Sequence, residues 1–155
     1  MRAQGYGRII QNSSILGFMP LKFRGAYNAS KYAIEGLSDT LRLELYDTNI
    51  FISLVEPGPI ASRIRENSVP HFLNNIDREN SVYREFYQHW LERLKKTGPV
   101  ARFTLTPEAV LKKVIHALES KYPKPRYRVT VPTHLFWYLK RFLSTRMLDR
   151  ILSKS

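Results

Sequence analysis

The chain has 155 residues, which suits one domain, and its 43% hydrophobic content is enough to build a core. It holds no cysteine, which excludes disulfides, thiolate zinc sites and a cysteine nucleophile. The formal net charge of +12 points to polyanionic partners: nucleic acid, an anionic membrane or a phosphorylated ligand.

The Arg-Ala-Gln-Gly run after Met1 is not the apolar segment of a signal peptide. Arg8 to Gln11 is a short apolar-centred run that ends in the polar Asn12-Ser13-Ser14, and it predicts a buried strand. Residues 15–26 contain Gly17, Pro20 and Gly25 and predict a loop. Tyr27 to Tyr46 predicts a helix, with Ile34, Leu37, Leu41 and Leu45 on one face at helical spacing. Ile50 to Val55 predicts a second buried strand, stopped by Pro57-Gly58-Pro59. Strand, helix and strand in that order form a βαβ unit, so the fold class is α/β with a parallel sheet.

Residues 60–100 turn polar and irregular, with Phe72, Tyr83, Phe86, Tyr87 and Trp90 scattered through one or two helices. Thr106-Pro107-Glu108 opens a further helix that runs to about Lys121: Thr as N-cap, Pro at the first position, an acid in the first turn. Tyr127 to Val131 predicts a third strand, ended by Pro132. A last helix is expected from about Leu135 to Leu152. No run of about 18 apolar residues predicts a transmembrane helix. The four histidines, at 71, 89, 116 and 134, show no ligand spacing, so no metal site is expected.

The last 35 residues hold nine Lys/Arg against one acid, Asp149, so most of the positive charge belongs to the tail. A basic amphipathic helix can lie on an anionic membrane. Arg146 and Arg150, however, fall inside the apolar sector of a continuous Leu135–Leu152 wheel. Packing on the sheet or against a second copy is the preferred reading, with a membrane surface second. No nucleic-acid fold is recognisable, so no nucleic-acid partner is expected.

Tyr27 and Lys31 lie four apart at the start of a helix, hence on one face and one turn apart. A nearby ammonium and a helix N-terminus both stabilise a phenolate, which suits Tyr to general acid/base work. Alone, this pair is close to chance, given nine Tyr and ten Lys in the chain. Ser14 precedes Tyr27 by thirteen residues at the carboxyl edge of a strand, and Pro57 to Ser62 lies beyond the next strand at the same edge. Ligands of open α/β sheets bind there.

Asn12-Ser13-Ser14-x-x-Gly17, Tyr27-x-Ala29-Ser30-Lys31 and Pro57-Gly58-Pro59-Ile60-x-Ser62, in this order and spacing, resemble the short-chain dehydrogenase/reductase family. The resemblance runs from about Gly5 to Ser62, and more loosely to Val131. It implies the C-terminal part of a doubly wound, Rossmann-type parallel sheet, without the N-terminal dinucleotide-cradle half. The family's glycine-rich pyrophosphate turn, its Asn-Asn-Ala-Gly segment and a further catalytic Asn have no counterpart in these residues.

The resemblance also implies roles. Tyr27 would exchange the proton with the substrate oxygen, Ser14 would hydrogen-bond that oxygen, and Lys31 would bind the nicotinamide ribose and lower the Tyr pKa. Pro57, Gly58, Ile60 and Ser62, with Tyr27 and Lys31, would line the cofactor, Ser62 standing where the family commonly has Thr. The expected activity is an NAD(P)-dependent oxidoreductase acting on a small, apolar carbonyl or alcohol, with NADP preferred to NAD. The implied organisation is a catalytic core at 1–62, a substrate lid at 63–105, a closing helix and strand at 106–134, and a basic C-terminal helix at 135–155. A homo-oligomer through the Tyr27–Tyr46 helix and a cytoplasmic location, peripheral to a membrane at most, complete the expectation. The alternative is a catalytically inert remnant or an interaction module.

Overall fold

The structure is a computed structural model and describes residues 1–96, 98 and 101–153. Residues 97, 99 and 100 of the expected lid and residues 154–155 of the expected tail lie outside the described residues. Among the described residues three strands form one parallel sheet in the order β1-β2-β3: β1 Gly7–Asn12, β2 Ile50–Glu56 and β3 Arg126–Arg128. β2 is the central strand and is buried along nearly its whole length, as its run of large apolar residues requires.

Helix α1, Gly25–Glu44, joins β1 to β2, and α4, Pro107–Glu119, packs on β1 and β2. Side chains alternate across a strand. Val55 and Tyr127 therefore meet Ala117 of α4 in the core, with Ile10, Val110 and Val114 around them. Their neighbours Glu56 and Arg126 face the opposite side, where α1 lies. The two helices thus cover the two faces of the sheet, the expected α/β arrangement.

Between β2 and α4 lie α2, Ile64–Asn75, and α3, Arg84–Lys95, which pack on each other. The Thr106 backbone is the N-cap of α4, but its hydroxyl makes no capping bond. It bonds Glu108 instead and holds that carboxyl below the usual range.

Three expectations are corrected. The third strand ends at Arg128, and Val131, expected in that strand, opens α5, Val131–Phe142. Pro132 is thus the first turn of a helix, where its missing N–H is harmless. The single helix expected over Leu135–Leu152 divides into α5 and α6, Thr145–Leu152. Ser144 stops one and starts the other, its hydroxyl accepting the Met147 N–H. Within α6 alone, Met147, Leu148, Ile151 and Leu152 share one face, while Arg146, Asp149 and Arg150 share the other. The interruption therefore removes the mixed sector of a continuous wheel. Finally, Leu37 of α1 is not on the packed face; it is 56% exposed, and the buried residues of α1 are Asn28, Glu35 and Ser38.

No helix among the described residues is long and apolar enough to cross a membrane.

Gly58, just past β2, is pressed against α5. A Cβ there would lie 2.1 Å from Thr130 Oγ1 and 2.7 Å from Thr133 Oγ1, two hydroxyls that bond each other at 2.9 Å. Gly58→Ala should lower the unfolding free energy in urea by about 1–3 kcal/mol through overpacking. Adding Thr130→Ala should recover part of that loss, because the nearest clashing atom is gone.

Candidate active site

The site forms where β1 and β2 run out at their carboxyl ends. The ladder continues past the strands: Ser13 N–H donates to Val55 O and Ile15 N–H to Pro57 O, both at 2.8 Å. These two bonds hold Ser14 beside Pro57. A single 3₁₀ turn, Ile15–Gly17, follows, and the Ser14 hydroxyl caps it by accepting Leu16 N–H at 3.1 Å. Ser14 is buried and its hydroxyl oxygen is engaged, which leaves one hydroxyl hydrogen to donate.

α1 brings Tyr27 and Lys31 to the same edge. Tyr27 stands in the first turn and is 37% exposed. Lys31 Nζ donates to Asn12 O at 2.8 Å and lies 5.7 Å from the Tyr27 ring centroid. The strand end thus fixes the ammonium beside the phenol, with two N–H groups left over. Asn28, buried between them in sequence, donates to Met19 O at 3.2 Å and ties α1 to the loop before it.

Behind these residues is a charged cluster that reading the sequence missed. Glu35, one further turn along α1, accepts the Ser13 hydroxyl on one oxygen and Arg126 on the other. Arg126 also donates to Glu56 at 2.7 Å and to both Asp39 oxygens at 2.7 Å. Arg42 pairs with Asp39 at 2.8 Å, and Arg128 Nε lies 3.3 Å from Glu56. Burial pulls the Arg126 pKa down, but the Glu56 and Glu35 carboxylates outweigh it and hold the guanidinium above its ordinary value. Glu56 is raised, chiefly because its side chain is only 1% exposed. Gly17 makes room for this cluster, since a Cβ there would sit 2.7 Å from Ser13 Oγ and 2.9 Å from Glu35 Cγ. The available signal was Tyr27, Lys31 and Glu35 recurring every fourth residue on one helical face.

The Pro57–Ser62 segment runs on from β2. Ile60 bridges Leu105 in parallel, through Ala61 N–H to Leu105 O and Leu105 N–H to Pro59 O. In that pattern the Ile60 N–H and C=O point away from Leu105, and no hydrogen bond among the described residues engages them. Such groups can meet an amide. Together with the spare Lys31 N–H groups they suit the nicotinamide–ribose end of a dinucleotide. Gly58 belongs to packing against α5, as described above. Ser62 stands apart from the Ser14–Tyr27–Lys31 group. It is exposed and lines an open cleft of about 600 Å³ with Arg65 of α2 and Lys95 of α3.

Helix α3 is anchored on the loop that leads into α1. Phe23 stacks on Phe86 with centroids 3.7 Å apart and meets Tyr83 edge-on at 5.1 Å. Phe23 has a positive φ of 59°, rare for an aromatic residue, so packing holds a locally unfavourable backbone. Phe72, Tyr87 and Trp90 extend the aromatic wall.

The sequence profile described as short chain dehydrogenase matches residues 1–71. The uncharacterized oxidoreductase YbbO of Escherichia coli K12 is 43% identical over 152 residues, covering 98% of this chain and 50% of that protein. The NADPH-dependent 3-dehydrocapnine reductase of Ornithobacterium rhinotracheale is 31% identical over 156 residues, covering 98% and 52%. A crystal structure of a short chain dehydrogenase/reductase from Burkholderia phymatum in complex with NAD superposes with a TM-score of 0.63. It is 21% identical and covers 99% of this chain and 51% of that one, a likeness of fold. The chain spans about half the length of the curated relatives it matches.

Arg126→Met should cost about 3–5 kcal/mol at pH 7, because it removes the cation that Glu35 and Glu56 share while both stay buried. The folded-state pKa of Glu56, already raised by burial, would then rise further, so its protonation would favour the fold. Urea unfolding should show a smaller penalty at pH 5 than at pH 7.

Proposed function

Because the chain belongs to the short-chain dehydrogenase/reductase family, we propose that it supplies the catalytic part of a nicotinamide-dependent oxidoreductase for a carbonyl or alcohol substrate. One observation carries this reading above the others. The Lys31 ammonium is fixed by Asn12 O beside the Tyr27 ring, at the sheet edge where Ser14 keeps a free hydroxyl hydrogen.

In the reducing direction Tyr27 Oη–H gives its proton to the substrate oxygen as negative charge develops there. Ser14 Oγ–H donates a hydrogen bond to the same oxygen, and its orientation is set before substrate arrives because Leu16 N–H already occupies the hydroxyl oxygen. Lys31 lowers the cost of the phenolate that results. In the oxidising direction the same groups run in reverse, Tyr27 taking the alcohol proton. The nicotinamide, when bound, supplies or accepts the hydride at the substrate carbon. Lys31 and the Ile60 backbone are the groups that would hold its ribose and carboxamide. Ser62, at the mouth of a basic cleft, would reach its phosphates.

The aromatic wall of Phe72, Phe86, Tyr87 and Trp90 supports an apolar substrate body. The NADPH dependence in the name of the Ornithobacterium relative supports NADP over NAD.

Tyr27→Phe in the whole protein should lower kcat by at least about 10²-fold, the scale of general acid catalysis. The thermal midpoint should stay within a degree or two, because the hydroxyl makes no structural hydrogen bond among the described residues. NADPH and NADH oxidation with a panel of aldehydes and ketones measures this. Unchanged turnover of every substrate would refute the role of Tyr27.

A further inference from the structure

Two guanidiniums flank one indole beside the reaction centre. Arg24 Cζ lies 4.8 Å and Arg93 Cζ 5.5 Å from the Trp90 ring centroid. Arg24 is half-buried and is the N-cap residue of α1, three positions before Tyr27. Neither guanidinium has a hydrogen bond or an acid among the described residues. α1 has no acidic residue in its first turn. On α3, Phe86, Trp90 and Arg93 share a face, while Glu85 and Glu92 lie about a quarter-turn or more away on another.

This arrangement is unfavourable as it stands. Burial, and then the charge of Arg93, hold the Arg24 pKa below its ordinary value. A cation at a helix N-terminus also opposes the helix dipole. Cation–π contacts with Trp90 offset part of this. They do not neutralise the like charges. Arg42, Arg126 and Arg128, also half-buried, each meet a carboxylate, and half-buried Arg8 donates to the Gly7 and Ser120 carbonyls. Arg24 and Arg93 are set apart by sharing one indole at the start of the helix that carries Tyr27.

We infer that Arg24 and Arg93, over Trp90, bind the anionic end of the substrate, so that the substrate is an acid-bearing carbonyl or alcohol with an apolar body. A carboxylate, sulfonate or phosphate group shares the required chemistry: several acceptor oxygens for two guanidinium forks, with an indole to cover the adjoining apolar carbons. This rests on the assignment of Tyr27 as the acid/base group, which places the reacting oxygen at the start of α1. The anion then anchors one end of the substrate and Tyr27 meets the other, so part of the binding energy orients the carbonyl.

The test compares octanoate with 1-octanol, which share an apolar chain and differ in charge, by isothermal titration calorimetry on the whole protein. Octanoate should bind, and Arg24→Gln and Arg93→Gln should each weaken it at least tenfold. Arg146→Gln, which removes one positive charge from α6, should leave octanoate affinity within twofold. Octanol affinity should be the same in all of these proteins. Arg93 is exposed, so its variant keeps the test sound even where Arg24→Gln disturbs folding; Arg24→Lys, which keeps the charge and loses the fork, should weaken octanoate less than Arg24→Gln does. The inference falls if octanoate does not bind, if both glutamine variants keep its affinity within twofold, or if they weaken octanol equally. Tyr27→Phe should bind octanoate as tightly as the unaltered protein. Turnover that survives in that variant would refute the acid/base role while the anion site stood; octanoate binding indifferent to Arg24 and Arg93, with Tyr27→Phe inactive, would refute the anion site alone.

Discussion

The arrangement of the site depends on the guanidinium of Arg126. It is a single rigid fork that three carboxylates share, from α1 (Glu35 and Asp39) and from the end of β2 (Glu56). With Arg42 on Asp39 and Arg128 on Glu56, three cations meet three anions. A buried charge is tolerable only when paired, so each partner constrains the others. The consequence reaches the chemistry through Glu35. Its second oxygen takes the Ser13 hydroxyl, and Ser13 is the residue before Ser14. Its helix also carries Lys31 one turn earlier, which is bonded to Asn12. α1 is therefore tied to the end of β1 at two successive turns, and the phenol, the ammonium and the serine hydroxyl hold one mutual position.

This explains why the inner face of α1 is polar. An ordinary helix on a sheet buries an apolar stripe. Here Asn28, Glu35 and Ser38 are the buried residues, while Leu37 and Leu43 are exposed. Hydrogen bonds and ion pairs give direction where apolar contact would give only adhesion, and a reaction centre needs its groups aimed. The opposite face of the sheet has no such task. There Val55, Tyr127 and Ala117 form a conventional apolar core under α4.

The second contact between scaffold and site is aromatic. Phe23, in its left-handed backbone conformation, inserts against Phe86 just ahead of α1, so α3 is docked on the segment that presents Tyr27. The aromatic cluster and Tyr27 are therefore parts of one packed unit. Half-buried Arg24 and exposed Arg93 lie over Trp90 in that unit.

Local chemistry in the sequence was sufficient for some features and silent on others. The strands at β1 and β2 and the helix between them follow from apolar runs and glycine and proline punctuation, which act over neighbouring residues. Tyr27 and Lys31 were legible because a helix places every fourth residue on one face, and Ser14 and Pro57 because both end strands that run the same way. Tertiary structure alone decided what Arg126 does, since its partners lie about 70 to 90 positions away in the chain and only sheet pairing brings them together. It also decided that Val131 begins a helix rather than ends a strand, and that Ser144 divides the last helix in two. Proline and serine each suit both outcomes locally, and the packing of α5 against Gly58 and the start of α6 selects one. The sequence by itself determined which groups could do chemistry at the sheet edge; long-range charge pairing and packing determined where they point.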